Sequence, residues 1–192
     1  MFPAIFLDRD GVIIENISTY VRSWEEVRFI PKSLFALNKA QNSPYKIILV
    51  TNQSAVGRGI LPLDIAWEIN LRLVAVIQQA GGRVDGVYMC PHAPEDNCEC
   101  RKPKPGLILR AASDLSLDLA HSILIGDALS DLLAGQAAGI HRTLLVRTGR
   151  GSEQEKLPRP AELRPFQIFN DLADAIFAIL DEHPENSMPG FY

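Results

Sequence analysis

The segment AIFLDRDG, Ala4 to Gly11, decides how the rest of the chain is read. Four apolar residues run directly into two aspartates and a glycine. Such a run is too short for a helix, and it suits a strand buried on both faces, with the polar residues marking its carboxyl end. Four more runs take the same form. KIILV (Lys46 to Val50) leads into Thr51-Asn52-Gln53, VDGVYM (Val84 to Met89) into CPHAPEDNCEC, and SILI (Ser122 to Ile125) into Gly126-Asp127; TLLV (Thr143 to Val146) is the last.

Helix signals fill the gaps between these runs. Pro62 and Asp64 open LDIAWEINLRLVAVIQQA and Gly81-Gly82 closes it, as start and stop residues should. Shorter candidates span 32–41, 106–115, 131–138 and 170–181. Alternation of strand and helix predicts an α/β protein: a Rossmann-like, three-layer, doubly wound parallel sheet. The spacing from Asp10 to the second strand, and from there to the third, leaves no room for a separate cap domain. The stretch EQEKLPRPAELRP, Glu153 to Pro165, is read as a surface connection before the last helix.

A chain of 192 residues fits one domain over 1–192 and needs no staple to fold. No apolar run approaches the ~20 residues of a membrane span, so no membrane partner is expected. The start MFPAIFLDRDG has neither a basic leader nor a cleavage site, which argues for the cytoplasm. A net charge of −4 with no basic stripe excludes a nucleic-acid partner, and a monomer is expected. His121, His141 and His183 are isolated and read as surface or structural residues. Trp24 and Trp67 read as packing residues.

In an open parallel sheet, ligands bind outside the carboxyl ends of the strands. The polar clusters after the first four runs therefore converge on one edge. Asp8 and Asp10, two apart at a strand end, should point the same way in extended geometry and either repel or share a cation. Asp127 joins them from another strand, and three oxygen donors suit Mg²⁺. The competing reading makes DRDG an acidic turn and GDALSD a helix cap. Thr51 and Asn52 offer a hydroxyl and an amide for a phosphoryl oxygen. Arg101, Lys102 and Lys104 give the local positive charge that an acidic protein needs for a phosphate. For Lys104 a solvated loop is the favoured alternative.

All three cysteines fall within eleven positions. Cys90, His92, Cys98 and Cys100 form a Cys₃His set, typical of a closed structural zinc site. Free thiols or a disulfide are the alternatives, the disulfide disfavoured in a reducing compartment. Zinc there would fold a loop too small for its own core and fix Arg101 and Lys102, which follow the last ligand.

Together DRDGV, TNQ, the lysine of RKPKPG and GDALSD resemble, in order, the four motifs of the haloacid-dehalogenase-type phosphohydrolases. The resemblance implies Mg²⁺-dependent phosphate-monoester hydrolysis. Asp8 would be the nucleophile and Asp10 the acid and base, with Thr51 and Lys102 on the phosphoryl oxygens. Asp8, the backbone carbonyl of Asp10, and Asp127 would bind Mg²⁺, with Asp131 as an outer partner. The zinc loop narrows the resemblance to the subgroup of D-glycero-D-manno-heptose 1,7-bisphosphate phosphatases and histidinol-phosphate phosphatases. YVRSWEEVRFIPKS and TNQSAVGRG are similar to the heptose enzymes, while the short His92 to Cys98 spacing is more like the histidinol enzymes. Heptose-type substrate contacts would fall on Asn16, Ser18, Thr19, Tyr20, Thr51, Asn52, Gln53 and Ser54, with Arg58 and Arg101 free for polar groups beyond. The implied partner is a small phosphorylated sugar of carbohydrate metabolism. A histidinol phosphatase, or a silent zinc-stabilised binding module, is the alternative; a binding module would need neither Asp8 nor Asp10.

Overall fold

The computed structural model describes residues 1–182. Six parallel strands form one sheet: β1 (Ala4–Leu7), β2 (Lys46–Asn52), β3 (Gly86–Cys90), β4 (Ile123–Gly126), β5 (Arg142–Val146) and β6 (Gln167–Phe169), in the order β3-β2-β1-β4-β5-β6. Leu7 pairs with Leu49 on one side and Ile125 on the other, so β1 is central and its carboxyl end lies beside those of β2 and β4. The strand order turns back at β1, the place where this architecture opens a crevice.

Each strand alternates its side chains between two faces, and both faces are covered. Ile5, Leu7, Ile47 and Leu49 pack with residues of α1 (Ser33–Lys39), α3 (Leu63–Gln79) and α7 (Leu172–Asp181). Ala4, Phe6, Ile48 and Val50 pack with α4 (Gly106–Leu115) and α5 (Leu129–Ala137) on the opposite face. This is the three-layer arrangement the apolar runs imply, and it explains why they lack polar alternation. Ala66, Ile69, Leu73 and Ile77 form the buried stripe of α3. Full burial of a side chain such as Leu73 or Phe6 stabilises the fold by about 1.5–3 kcal/mol.

Between β1 and β2 the chain forms turns and one short helix, and between β2 and β3 the one-turn α2 (Ser54–Gly57) and α3, so no cap domain is inserted. The one-turn α2 is absent from the sequence reading, and so are two later elements. The one-turn α6 (Gly151–Gln154) precedes and overlaps the stretch assigned to a surface connection, and β6 follows that stretch. β6 is an edge strand of three residues carrying Gln167, Ile168 and Phe169, too short to show a period. The connection is anchored at its end, where Leu163 and Phe166 pack on the second core and Arg164 bonds the carbonyls of Gln136 and Ile140. His183 lies outside the described residues.

Candidate active site

Lys102 is the centre of the site. The residue is 4% exposed, and its ammonium has three protein acceptors: Asp8 Oδ1 at 2.9 Å, Asp131 Oδ1 at 2.7 Å and the Val50 carbonyl at 2.8 Å. Burial alone lowers a lysine pKa, but Asp131 and Asp8 outweigh it and hold this ammonium charged. Its backbone is fixed by Asn52, whose Nδ2 donates to the Lys102 carbonyl at 3.1 Å and whose Oδ1 accepts from the Lys102 amide at 3.2 Å. The amide read as a phosphoryl ligand thus grips the loop that delivers the lysine.

Asp8 follows β1, Asp127 follows β4, and Asp131 lies in the first turn of α5. All three are buried, and one carboxylate oxygen from each lies within 4.8 Å of the others. Burial raises the Asp8 carboxyl to about 7; Lys102 opposes this, while Asp131, Asp127 and Asp10 reinforce it. Burial raises Asp127 as well, against hydrogen bonds from Arg150. A hard divalent cation with oxygen ligands fits this donor set, because the pocket gathers more carboxylates than Lys102 can neutralise. Gly11 makes the packing possible: its φ is +84°, and a β-carbon there would collide with the Asp127 carboxylate.

Asp10 is not in that cluster. The extended backbone ends at Leu7, and Asp10 already belongs to a turn, bridged to Ile14 and followed by the left-handed Gly11. The two carboxylates therefore diverge where extended geometry would align them. Asp8 turns to Lys102, while Asp10 accepts from Arg9 and from Gln53 Nε2 at 2.9 Å. Gln53 Nε2 also donates to Thr51 Oγ1 at 2.9 Å, and Thr51 is buried beneath the cleft floor.

Above these groups lies a cleft of about 740 Å³. Asn16, Ser18, Tyr20, Asn52, Gln53, Ser54, Arg101 and Lys102 line it, as do Asp8, Asp10 and Asp131. Thr19 and Arg58 do not; Arg58 pairs with Glu95 at 3.1 Å outside it. Lys104 pairs with Glu99 at 2.8 Å, as a solvated loop residue does. Arg150 was missed by the sequence reading. Its backbone N–H donates to Asp127 Oδ2 at 2.9 Å and its Nη2 to Oδ1 at 2.9 Å, and its side chain borders the cleft. It follows the carboxyl end of β5, so the strand-end rule applied to the fifth run would have found it.

The cysteine loop closes one wall. Cys90, His92, Cys98 and Cys100 bring their ligand atoms within 4.8 Å of one another, and the thiols are free. Sulfur separations are 3.1 Å (Cys90–Cys100), 3.5 Å (Cys98–Cys100) and 3.6 Å (Cys90–Cys98), with His92 Nδ1 3.3 Å from Cys100. Sulfurs 2.3 Å from a tetrahedral zinc sit about 3.8 Å apart, so the set fits such an ion with small adjustments. Burial works against ionisation of Cys98, but hydrogen bonds from Cys100, the Arg101 backbone and Cys90 bring it down to about 7.

A profile of the HAD-hydrolase-like family matches residues 99–175. The D-glycero-beta-D-manno-heptose-1,7-bisphosphate 7-phosphatase of Pasteurella multocida is 40% identical over 157 residues, covering 78% of this chain and 84% of the relative. The chain belongs to this phosphatase family, within the HAD-like hydrolases. Its member from Helicobacter pylori is 44% identical over 74% of this chain and 83% of its own length. The D,D-heptose 1,7-bisphosphate phosphatase of B. bronchiseptica, solved with magnesium and phosphate, superposes with a TM-score of 0.86 at 35% identity, covering 94% of this chain and 99% of the other. Among the described residues, no helix is long and apolar enough to cross a membrane.

Proposed function

We propose that the chain removes the 7-phosphate of D-glycero-D-manno-heptose 1,7-bisphosphate, using Mg²⁺ and an aspartyl-phosphate intermediate. The observation that carries the chemistry is Lys102 gripping Asp8 and Asp131 at the floor of the cleft. An Asp8 oxygen attacks phosphorus, and the bond from phosphorus to the sugar oxygen breaks. Asp10 gives its proton to that oxygen, so the sugar leaves as an alcohol. Asp10 then takes a proton from water; the water oxygen attacks phosphorus, the bond to Asp8 breaks, and phosphate departs. Lys102 and Thr51 hold the phosphoryl oxygens. Asp8, the Asp10 backbone and Asp127 would hold Mg²⁺, which supplies the charge that lets a carboxylate approach a dianion. Asp131 keeps Lys102 in place. Zinc on the four-ligand loop would be structural, since a closed set leaves no position for water.

Substrate choice rests on the family and on charge at the rim. Arg101 and Arg150 both border the cleft, which gives a second phosphate cationic partners beyond Lys102. Asn16, Ser18 and Tyr20 face the same space and suit sugar hydroxyls. Thr19 and Arg58 would need loop movement to reach it. The five-residue gap between His92 and Cys98 is the one feature favouring histidinol phosphate. The test is kcat/KM for both compounds at one Mg²⁺ concentration. A preference of at least about tenfold for the bisphosphate is expected, and a ratio favouring histidinol phosphate overturns the assignment.

A further inference from the structure

The general acid and base needs a fixed direction, and the structure holds it from behind with groups that neither metal cluster uses. Arg9 is 1% exposed and is the bulkiest fully buried side chain in the described chain. Its Nε donates to Asp10 Oδ2 at 3.0 Å and its Nη2 to Asp10 Oδ1 at 3.2 Å, with Nη2 also 2.9 Å from Oδ2. Its remaining nitrogen, Nη1, donates to Asn70 Oδ1 at 2.8 Å. Asn70 is itself 1% exposed, an amide in the middle of α3, and its Nδ2 points at Met89 Sδ, 3.4 Å away.

A guanidinium is costly to bury, and apolar residues of similar volume often replace a buried ion pair without loss of stability. The expense is informative because of where the fork points. A planar, two-pronged donor fixes both the position and the plane of a carboxylate, which an ammonium or an apolar neighbour cannot do. Guanidinium rotation is blocked in turn by Asn70 from a rigid helix. Gln53 grips the same carboxylate from the other side, through Oδ2. The bonds are unequal: Oδ2 receives Arg9 Nε and Gln53 Nε2, while Oδ1 receives one longer bond from Nη2. A proton on Oδ2 would face two donors. Oδ1 is the oxygen left to carry it.

We propose that Arg9 and Asn70 are positioning residues that aim Asp10, with Oδ1 as the oxygen that delivers the proton to the leaving alcohol. The proposal rests on the assignment of Asp10 as acid and base. Asn70→Leu removes the acceptor and keeps the volume; Asn70→Asp keeps the acceptor. The readout is kcat/KM, which reports the steps up to departure of the leaving group, for two esters: an alkyl or sugar phosphate, whose alkoxide must be protonated, and 2,4-dinitrophenyl phosphate, whose phenolate leaves unaided.

Asn70→Leu is expected to lose roughly tenfold to hundredfold on the alkyl ester and less than about threefold on the aryl ester. Asn70→Asp is expected to restore much of the ratio. Equal losses on both esters, or no loss on either, would overturn the proposal, since a merely structural defect cannot sense the leaving group. If Asn70→Leu does not fold, Arg9→Lys on the same two esters decides by the same criterion. Asp10→Asn is measured alongside. If it splits the esters and the Asn70 and Arg9 variants do not, only the positioning role fails. If Asp10→Asn shows no split, the acid assignment fails and the proposal falls with it.

Discussion

Two clusters of metal-binding character flank Lys102, and they are built in opposite ways. The carboxylate floor takes Asp8 from the end of β1, Asp127 from the end of β4 and Asp131 from α5, all buried among elements that the core already fixes. The cysteine loop takes Cys90 from the end of β3, but His92, Cys98 and Cys100 come from a segment whose only buried residue between His92 and Arg101 is Ala93. Apolar packing thus orders the floor, whereas the loop relies on its four ligands and on exposed polar contacts such as Arg58–Glu95 and Lys104–Glu99. Loss of the nucleophile from the floor should remove chemistry and spare the fold. Damage to the loop should loosen the strand-to-helix connection that delivers Arg101 and Lys102.

The sharpest way to break this contrast is Asp8→Asn. It keeps the shape but loses the nucleophile, and activity should fall by at least about a thousandfold with circular dichroism unchanged. Phosphate release within tenfold of the parent would refute the assignment. A pH signature accompanies it. The Asp8 carboxyl is raised from 3.8 to about 7 by burial, so the folded state binds the proton more tightly than the unfolded one. Without added Mg²⁺, this group makes stability fall as pH rises from about 4 to about 7. Denaturant titrations at pH 5 and pH 8 should show a smaller fall in Asp8→Asn than in the parent.

Lys102→Met tests the floor from its cationic side. The substitution leaves Asp8 and Asp131 buried without their shared partner, so both rate and stability should drop, the rate by roughly a hundredfold or more. Added Mg²⁺ should recover part of the lost Tm but little of the rate. An unchanged Tm in metal-free buffer would mean that Lys102 does not hold the floor together.

Cys98→Ser should cost more in stability than in rate. Metal analysis of dialysed parent protein should give one zinc per chain, and the variant much less. Its Tm should fall while activity drops by about tenfold, because Asn52 still grips the Lys102 backbone. Parent protein with less than about a tenth of an equivalent of zinc and full activity would remove the structural role of the metal.

The same contrast explains what could be read from sequence. The zinc set is legible because its ligands are neighbours along the chain. The strand-end motifs are legible because apolar runs announce where the strands stop. Arg9 and Asn70 were not singled out, since contact between residue 9 and residue 70 depends on how α3 packs against β1. Asn52 borders the cleft as its type suggests, but its grip on the Lys102 backbone, fifty residues away, leaves no mark in the sequence. Strand geometry aligns Asp10 with Asp8, but the strand ends at Leu7 and Asp10 already lies in the turn that follows. β6 has too few residues for any pattern, and Arg150 lies beyond Val146, with only its place after the fifth apolar run to mark it.

Arg150 gives the smallest expected effect and the finest test of the floor. Its guanidinium and backbone N–H occupy both oxygens of Asp127, which is fully buried, while the arginine side chain is half exposed. A cation arriving at Asp127 therefore competes with a positive neighbour. Solvent screens a half-exposed charge, so the competition amounts to about 1 kcal/mol at most. Arg150→Ala keeps the backbone bond and removes the charge. Calorimetric titration of the zinc-loaded variant should show Mg²⁺ binding a few-fold more tightly than in the parent, with the difference shrinking as salt rises. Weaker binding would mean that the arginine instead orients Asp127 for the metal, and would make Arg150 part of the floor rather than its rival.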